Sequence, residues 1–311
     1  MPPRTAPALA TGWVHACGVL PLDRPRVMGV VNLTPDSFHD GGRLMVDDLD
    51  EANVSVALRR CEQLVAHGAD LLDLGGESTR PGSIEVPIER ERTRVLPLLA
   101  ELRRRAPEVP ISVDTRHAAV ARAAIEAGAA IVNDVSGLAD PAMVDVVAAS
   151  SAGLVIGHLR GEPRTMQDRI AFGDLLGDVA QELARAVDSA VAAGIPRERI
   201  LVDPGIGFGK TAEQSAALVA ASSWLRAATG CHVLVGASRK SFLGVLAGAK
   251  GADRLIPSLS AALVAVERGA SVLRVHDVQQ TVVALAVARA IRIAFDREAA
   301  GREPPSAEGE P

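Results

Sequence analysis

Eight short apolar segments, each followed by a turn and a helix-like stretch, recur along this chain, and that alternation constrains its fold more than any other feature. The segments are Val27–Asn32, Leu71–Leu74, Ile111–Val113, Ile131–Asn133, Leu154–His158, Ile200–Asp203, His232–Gly236 and Val272–Val275. Each has the length and β-branched content of a buried strand. Between them, Asp47 to Ala66, Ala118 to Ala127 and Asp178 to Ala193 repeat apolar residues at helical spacing. They stop at Gly68, Gly128 and Gly194, with Pro196 beyond the last. Strand–helix units repeated in this way imply a parallel sheet with right-handed crossovers. Eight of them favour closure into a (β/α)8 TIM barrel over an open doubly wound sheet.

The length, 311 residues, suits one such barrel of roughly 250 residues with additions. We expect a single domain: an N-terminal extension over 1–25, a barrel over 26–296 and a disordered tail over 297–311, where Pro, Glu and Gly dominate. Hydrophobic residues make up 48% of the chain but aromatics only 2%. The core must therefore be Ala, Val, Leu and Ile, which suits parallel strands buried on both faces.

A net charge of -5 argues against a nucleic-acid surface. The three cysteines, Cys17, Cys61 and Cys231, show no metal spacing and read as reduced buried thiols of a cytoplasmic protein. Met1 to Gly12 lacks a signal pattern. No apolar run is expected to reach the roughly 20 residues of a membrane span; Val282 to Phe295, interrupted by Arg289 and Arg292, reads as an amphipathic helix.

The polar residues fall in a pattern. Asn32 ends the first strand, and the second runs into Gly75-Gly76-Glu77-Ser78-Thr79-Arg80-Pro81-Gly82. Asp114, Asn133-Asp134, His158 and Asp203 end the next four. Ser238-Arg239-Lys240 follows the seventh, and Arg274-Val275-His276-Asp277 closes the eighth. In a closed barrel these ends share the face where active sites are built. Taken singly, each has a plainer explanation: Asp114 could cap the next helix, His158 could be a hydrogen-bonded core residue, and Arg80 a solvated charge. Together they suggest a two-part site. Asp114, Asn133 and Asp203 suit the paired donors of a flat, guanidine-like ring edge. Lys240, Arg274 and His276 stand where barrels often hold phosphate. Asp203 to Thr211 lacks the glycines of a Walker or dinucleotide loop, and no GxSxG elbow is present.

Val31-Asn32-Leu33-Thr34-Pro35-Asp36-Ser37-Phe38 and Gly75 to Gly82 resemble the two signatures of the dihydropteroate synthase family. Ser112 to Thr115, Val132 to Asp134, Asp203 to Lys210, Gly236 to Ser241 and Arg274 to Val278 also match, in order, over roughly Arg26 to Ala290. The resemblance implies a TIM barrel that forms homodimers. It implies condensation of 6-hydroxymethyl-7,8-dihydropterin pyrophosphate with p-aminobenzoate, with magnesium required and no nucleic-acid or membrane partner. By resemblance Asp114, Asn133, Asp203 and Lys240 hold the pterin, with Arg274 stacked on it, and Asn32 helps to hold magnesium and pyrophosphate. Asp36, Phe38 and Asp40, with Ser78, Thr79, Arg80 and Pro81, lie on loops that close over the substrates; with Gly207, Phe208, Lys240 and Ser241 they shape the p-aminobenzoate pocket, where sulfonamides also bind. The chemistry itself falls to Asp36, Thr79, Arg80, Lys240, Arg274 and His276. The implied reaction breaks a C–O bond to release pyrophosphate, and the attacking aromatic amine needs no strong base. No covalent nucleophile is required.

Two segments depart from the family pattern. Gly157 and Leu159 flank His158 where methionines are usual, and Ile256-Pro257-Ser258 replaces an acidic-Gly-Ser stretch. Two other functions compete: a pterin-binding methyltransferase, which lacks the Ser-Thr-Arg-Pro loop and the paired Arg-x-His present here, and a catalytically silent pterin-binding paralogue, which is expected to have lost Asn32, Thr79 or Arg80.

Overall fold

The computed structural model describes residues 9–34, 51–80, 82–83, 85–168, 170–248 and 253–300. A two-stranded antiparallel hairpin, β1 (Gly12–His15) and β2 (Gly18–Pro21), comes first. There follow β3 (Arg26–Asn32), α1 (Glu51–Ala66), β4 (Leu71–Gly75), α2 (Ile88–Arg105), β5 (Ile111–Asp114), α3 (Ala118–Glu126), β6 (Ile131–Asp134), α4 (Ala142–Ala148), β7 (Gly153–Ile156) and α5 (Leu175–Ala192). The last part holds β8 (Ile200–Val202), α6 (Ala212–Val219), α7 (Ser222–Thr229), β9 (His232–Val235), α8 (Ser241–Leu246), α9 (Leu255–Glu267), β10 (Val272–Val275) and α10 (Val278–Ala299). Strands β3 to β10 form a closed barrel in which β10 returns to β3, every pair parallel. This is the (β/α)8 TIM barrel expected from the alternation.

Because side chains alternate along a strand, each strand serves two cores at once. Leu72, Leu74, Val113, Val132, Val202 and Leu273 face outward into a core shared with the helices. Met28, Leu71, Ile131, Val155, Leu201, Leu234 and Val272 point inward and fill the lumen. Local signals start the helices: the Asp174 side chain accepts from Gly177 N at 3.2 Å, and Thr211 with Gln214 forms a capping box.

The N-terminal hairpin has a structural role that periodicity did not reveal. Trp13 is fully buried and joins the lumen cluster. Its Nε1 donates to the Arg199 carbonyl at 2.9 Å, so the hairpin plugs the barrel beside the start of β7, where a Cβ on Gly153 would lie 3.2 Å from Trp13 Nε1. Cys17, in the hairpin turn, is exposed rather than buried as expected; Cys61 and Cys231 are buried, and all three are free.

Both departures have local causes. A Cβ on Gly157 would sit 2.6 Å from Val135 Cα, so the backbone of the neighbouring loop excludes a side chain there. Pro257 is the third residue of α9, where a missing N–H costs no intrahelical bond.

One expectation fails. Among the described residues α10 is long and apolar enough to cross a membrane by length and composition. The arginines did not disqualify it, because they are diluted over a longer helix. Val278 and Thr281 are buried in its first turn, and Val282 and Leu285 pack against the helix-side core.

Truncating Trp13 to Ala is expected to cost about 3–5 kcal/mol, the range for an aromatic cavity in a core. Urea denaturation checks this; a loss below ~1 kcal/mol would mean that the hairpin does not plug the barrel.

Candidate active site

Strand register collects the polar residues. Asn32, Gly75, Asp114 and Asn133 are lateral neighbours across β3, β4, β5 and β6. Polar groups follow directly on the apolar plug: Asp73, Asn133, Asp203 and Arg274 each stand two residues past Leu71, Ile131, Leu201 and Val272. On the far side Asp203 and Arg274 meet at Gly236: a Cβ there would lie 3.7 Å from Asp203 Oδ2 and 3.8 Å from Arg274 Cβ, in ordinary contact with each. Asp203 and Arg274 therefore share one mouth of the barrel.

Arg274 is the centre of this layer. Its Nε donates to Asp73 Oδ2 at 2.6 Å and its Nη2 to Asp114 Oδ2 at 2.7 Å. Asn133 Nδ2 also donates to Asp73 Oδ2, at 3.2 Å. Asp114 thus holds a guanidinium rather than capping a helix; the cap of α3 is filled instead by Asp140 Oδ2, which accepts from Ala118 N at 2.8 Å. Burial raises the Asp114 pKa, Arg274 opposes that, and Asp73, Asp134 and Asp203 reinforce it. For Arg274 burial alone would pull the pKa down, but Asp73 and Asp114 outweigh it and the net shift is upward. One oxygen each of Asp73 and Asp114 is buried without a hydrogen bond, leaving acceptors free for a ligand.

The loop after β8 brings the second group. Asp203 Oδ1 accepts from Gly205 N at 2.7 Å. At Gly205, φ is 65° and a Cβ would fall 1.8 Å from the His158 carbonyl, so only glycine fits. Lys240, just before α8, donates to the Ile206 carbonyl and lies 4.1 Å over the Phe208 ring. Burial lowers the Lys240 pKa to about 8, with Asp203 opposing and Arg274 assisting. Gly207 lets this contact form, since its Cβ would lie 3.3 Å from Lys240 Cδ. Ser241 opens α8 and is exposed.

His158 proves to be a buried, hydrogen-bonded group: its ring meets Glu182 Oε2 at 3.0 Å and Lys210 Nζ at 3.0 Å. Burial lowers its pKa to about 4, and Lys210, likewise desolvated, falls to about 7. His276 Nδ1 lies 3.1 Å from Ser238 Oγ on the β10 side of the mouth. Ser78 and Thr79 are half-buried and Arg80 exposed on the loop after β4. Asp36, Phe38, Asp40 and Pro81 fall outside the described residues.

Sequence reasoning missed Asp73. It stood inside the apolar run Leu71–Leu74 rather than at its end, and a carboxylate within a buried strand was the signal available.

With carboxylates and cations gathered at one mouth of a closed barrel, residues 28–276 match the family of pterin binding enzymes. The dihydropteroate synthase of Neisseria meningitidis serogroup B is 44% identical over 277 residues, covering 88% of this chain and 94% of that protein. The crystal structure of the Burkholderia cenocepacia dihydropteroate synthase complexed with 7,8-dihydropteroate is 42% identical and superposes with a TM-score of 0.81, covering 93% of this chain and 99% of the other. That of the Yersinia pestis enzyme with a sulfonamide drug complex is 38% identical with a TM-score of 0.83, covering 91% and 99%. The chain belongs to the dihydropteroate synthase family.

Asp73→Asn keeps the side-chain shape but removes the charge under Arg274. Charged hydrogen bonds of this kind contribute about 1.5–3 kcal/mol, so affinity for 7,8-dihydropteroate is expected to fall about 10–100-fold by titration calorimetry. Unchanged affinity would show that Asp114 alone holds Arg274 in place.

Proposed function

We propose that this chain joins 6-hydroxymethyl-7,8-dihydropterin pyrophosphate to p-aminobenzoate, giving 7,8-dihydropteroate and pyrophosphate. The carrying observation is the convergence of Asp114, Asn133 and Asp203 on one lumen layer with Arg274 between them. Asp114 already receives an N–H of a guanidinium, and the N–C–NH2 edge of a pterin offers donors of the same kind. Asn133 and Asp203 supply further polar contacts around the ring, and the Arg274 guanidinium has the planarity to stack on its face.

The reaction needs positive charge at the leaving pyrophosphate and negative charge near the methylene that it leaves. Arg274 and His276 neutralise the former, in a water-poor site where such contacts act strongly. Asp114 and Asp203 favour the cation spread over the ring. Lys240, its pKa lowered by burial to about 8 and its ammonium stacked on Phe208, bridges the ring pocket and the side where the amine enters. Ser78, Thr79 and Arg80, with Asp36, Phe38 and Pro81, complete the p-aminobenzoate side together with Gly207 and Ser241, and a sulfonamide competes there.

Asn32 fits a magnesium ligand: its Oδ1 faces the mouth, 3.7 Å from where a Cβ on Gly75 would stand and beside Asp114, and an amide oxygen is the hard donor this ion prefers. Bound there, magnesium supplies charge neutralisation for the phosphates. Free thiols agree with the cytoplasm as the working compartment.

Pyrophosphate release is expected only when both substrates and magnesium are present, and Asp203→Ala or Lys240→Ala is expected to abolish pterin binding. Release that ignores p-aminobenzoate, or wild-type pterin affinity in both variants, overturns the assignment.

The partner we propose is a second copy of the chain, seated on α9 and α10. Val283, Val287, Ile291 and Phe295 are exposed at four-residue spacing on α10, and Ile256 and Val264 are exposed on α9. Exposed apolar residues grouped on one face in this way mark an interaction surface. Sedimentation at micromolar concentration is expected to show a dimer, and Val287→Asp with Ile291→Asp a monomer. A monomeric wild type that binds lipid vesicles would instead assign the stripe to a membrane.

A further inference from the structure

Away from the ring pocket, three ligand-bearing side chains from three elements meet at the base of the loop after β4. Glu77 is the residue before Ser78, Glu91 lies in the first turn of α2, and His117 precedes α3. Glu77 and Glu91 are buried and His117 is half-buried. His117 Nε2 lies 3.6 Å from Glu77 Oε2 and 3.9 Å from Glu91 Oε2, and one ligand atom from each falls within 4.8 Å of the others.

A second observation distinguishes this from an ordinary acidic cluster. Glu91 is fully enclosed, with 0% exposure, yet neither of its oxygens accepts a hydrogen bond, and His117 Nε2 has no hydrogen-bond partner either. Arg116 bonds Glu77 at 2.9 Å and Glu85 at 3.2 Å, and Arg94 donates to the Gly76 carbonyl at 2.9 Å; neither gives Glu91 a bonded countercharge. An enclosed carboxylate without partners is costly and must take up a proton or a cation. Burial pushes Glu91 up to about 8; the neighbouring Thr115 hydroxyl opposes that shift, and Glu77 and Asp114 add to it.

We propose that Glu77, Glu91 and His117 bind a transition-metal dication of the zinc or manganese class, which fastens the 77–86 loop to α2 and α3. Ligands on such an ion stand about 2.0–2.2 Å from it, hence about 3.4 Å apart at tetrahedral corners. The two separations from His117 close to that with side-chain movements of a few tenths of an ångström, and Glu77 and Glu91, whose ligand atoms stand within 4.8 Å, are drawn together by the ion. One imidazole nitrogen with two carboxylates favours such a metal over magnesium, which prefers oxygen donors and retained water. The site is therefore chemically distinct from the one at Asn32. Glu77 Oε1 already accepts from Val86 N at 3.0 Å, so the same residue ties both ends of the loop that carries Ser78, Thr79 and Arg80. A cation there holds that loop base against two helices.

The test uses the full-length protein, stripped with chelator and titrated with Co2+ and then Zn2+ in excess magnesium. One equivalent per chain is expected, with a visible Co2+ spectrum that Zn2+ abolishes and a higher melting temperature. Glu91→Gln and His117→Asn are each expected to weaken binding by more than the ~10–100-fold typical of a lost supporting contact. If Glu91→Gln does not fold, His117→Asn decides alone, since that side chain is partly exposed. No uptake above background, or undiminished stoichiometric uptake in the folded variants, overturns the proposal and leaves a proton on Glu91.

Discussion

The paired grip of Asp73 and Asp114 on Arg274 is the interaction on which the rest of this site depends. A guanidinium that deep in a barrel is tolerable only with carboxylates in contact, and the carboxylates are tolerable only with the guanidinium. The three groups come from β4, β5 and β10, so the contact also requires the barrel to be closed: β10 must return beside β3 for Arg274 to reach Asp73. Closure, charge balance and pocket shape are thus one constraint. The apolar plug beneath it, from Trp13 to Val272, keeps water out from below and confines the polar layer to the mouth.

Much of this was legible in the sequence because the strand period carries it. Once eight strands are recognised, Asn133, Asp203 and Arg274 fall two residues past inward-facing apolar positions, Asp114 ends its own strand, and the helices follow from their glycine stops. What escaped had a physical reason. Asp73 obeys the same period but sits within its run, where apolar neighbours hide it. Glu91 and His117 lie on helix starts, where an acid or a polar residue has an ordinary explanation, and only the fold brings them to Glu77. The N-terminal hairpin is too short for periodicity to distinguish, and Trp13 acquires its meaning from a lumen that forms across the whole chain.

Glycine positions separate two uses of space. Gly236 and Gly75 stand between Asp203 and Arg274 and between Asn32 and Asp114, where a Cβ would fit in contact but a longer side chain would fill the space between them. At Gly205 and Gly157 it lets backbone approach backbone, fixing the β8 loop and the end of β7 against their neighbours. The first kind makes the pocket and the second makes its walls stiff. Stiffness matters because a carboxylate recognises a ring edge only if its own position is settled before the ligand arrives.

That requirement divides the molecule. Of the groups proposed to face the ring, Asp114, Asn133 and Arg274 stand on strands, where ladder hydrogen bonds hold the backbone. Three groups that the proposal gives to the second substrate, Ser78, Thr79 and Arg80, stand instead on the loop after β4. Glu77 lies at the boundary between the two. Its carboxylate accepts from Val86 and from Arg116, so the loop after β4 pivots on a clamped base rather than on free chain. Any force that tightens this base, whether an ion or a better hydrogen-bond partner for Glu91, acts on the loop without touching the ring pocket. On the proposed assignment, affinity for the second substrate is tuned there while the contacts to the ring stay as the strands hold them.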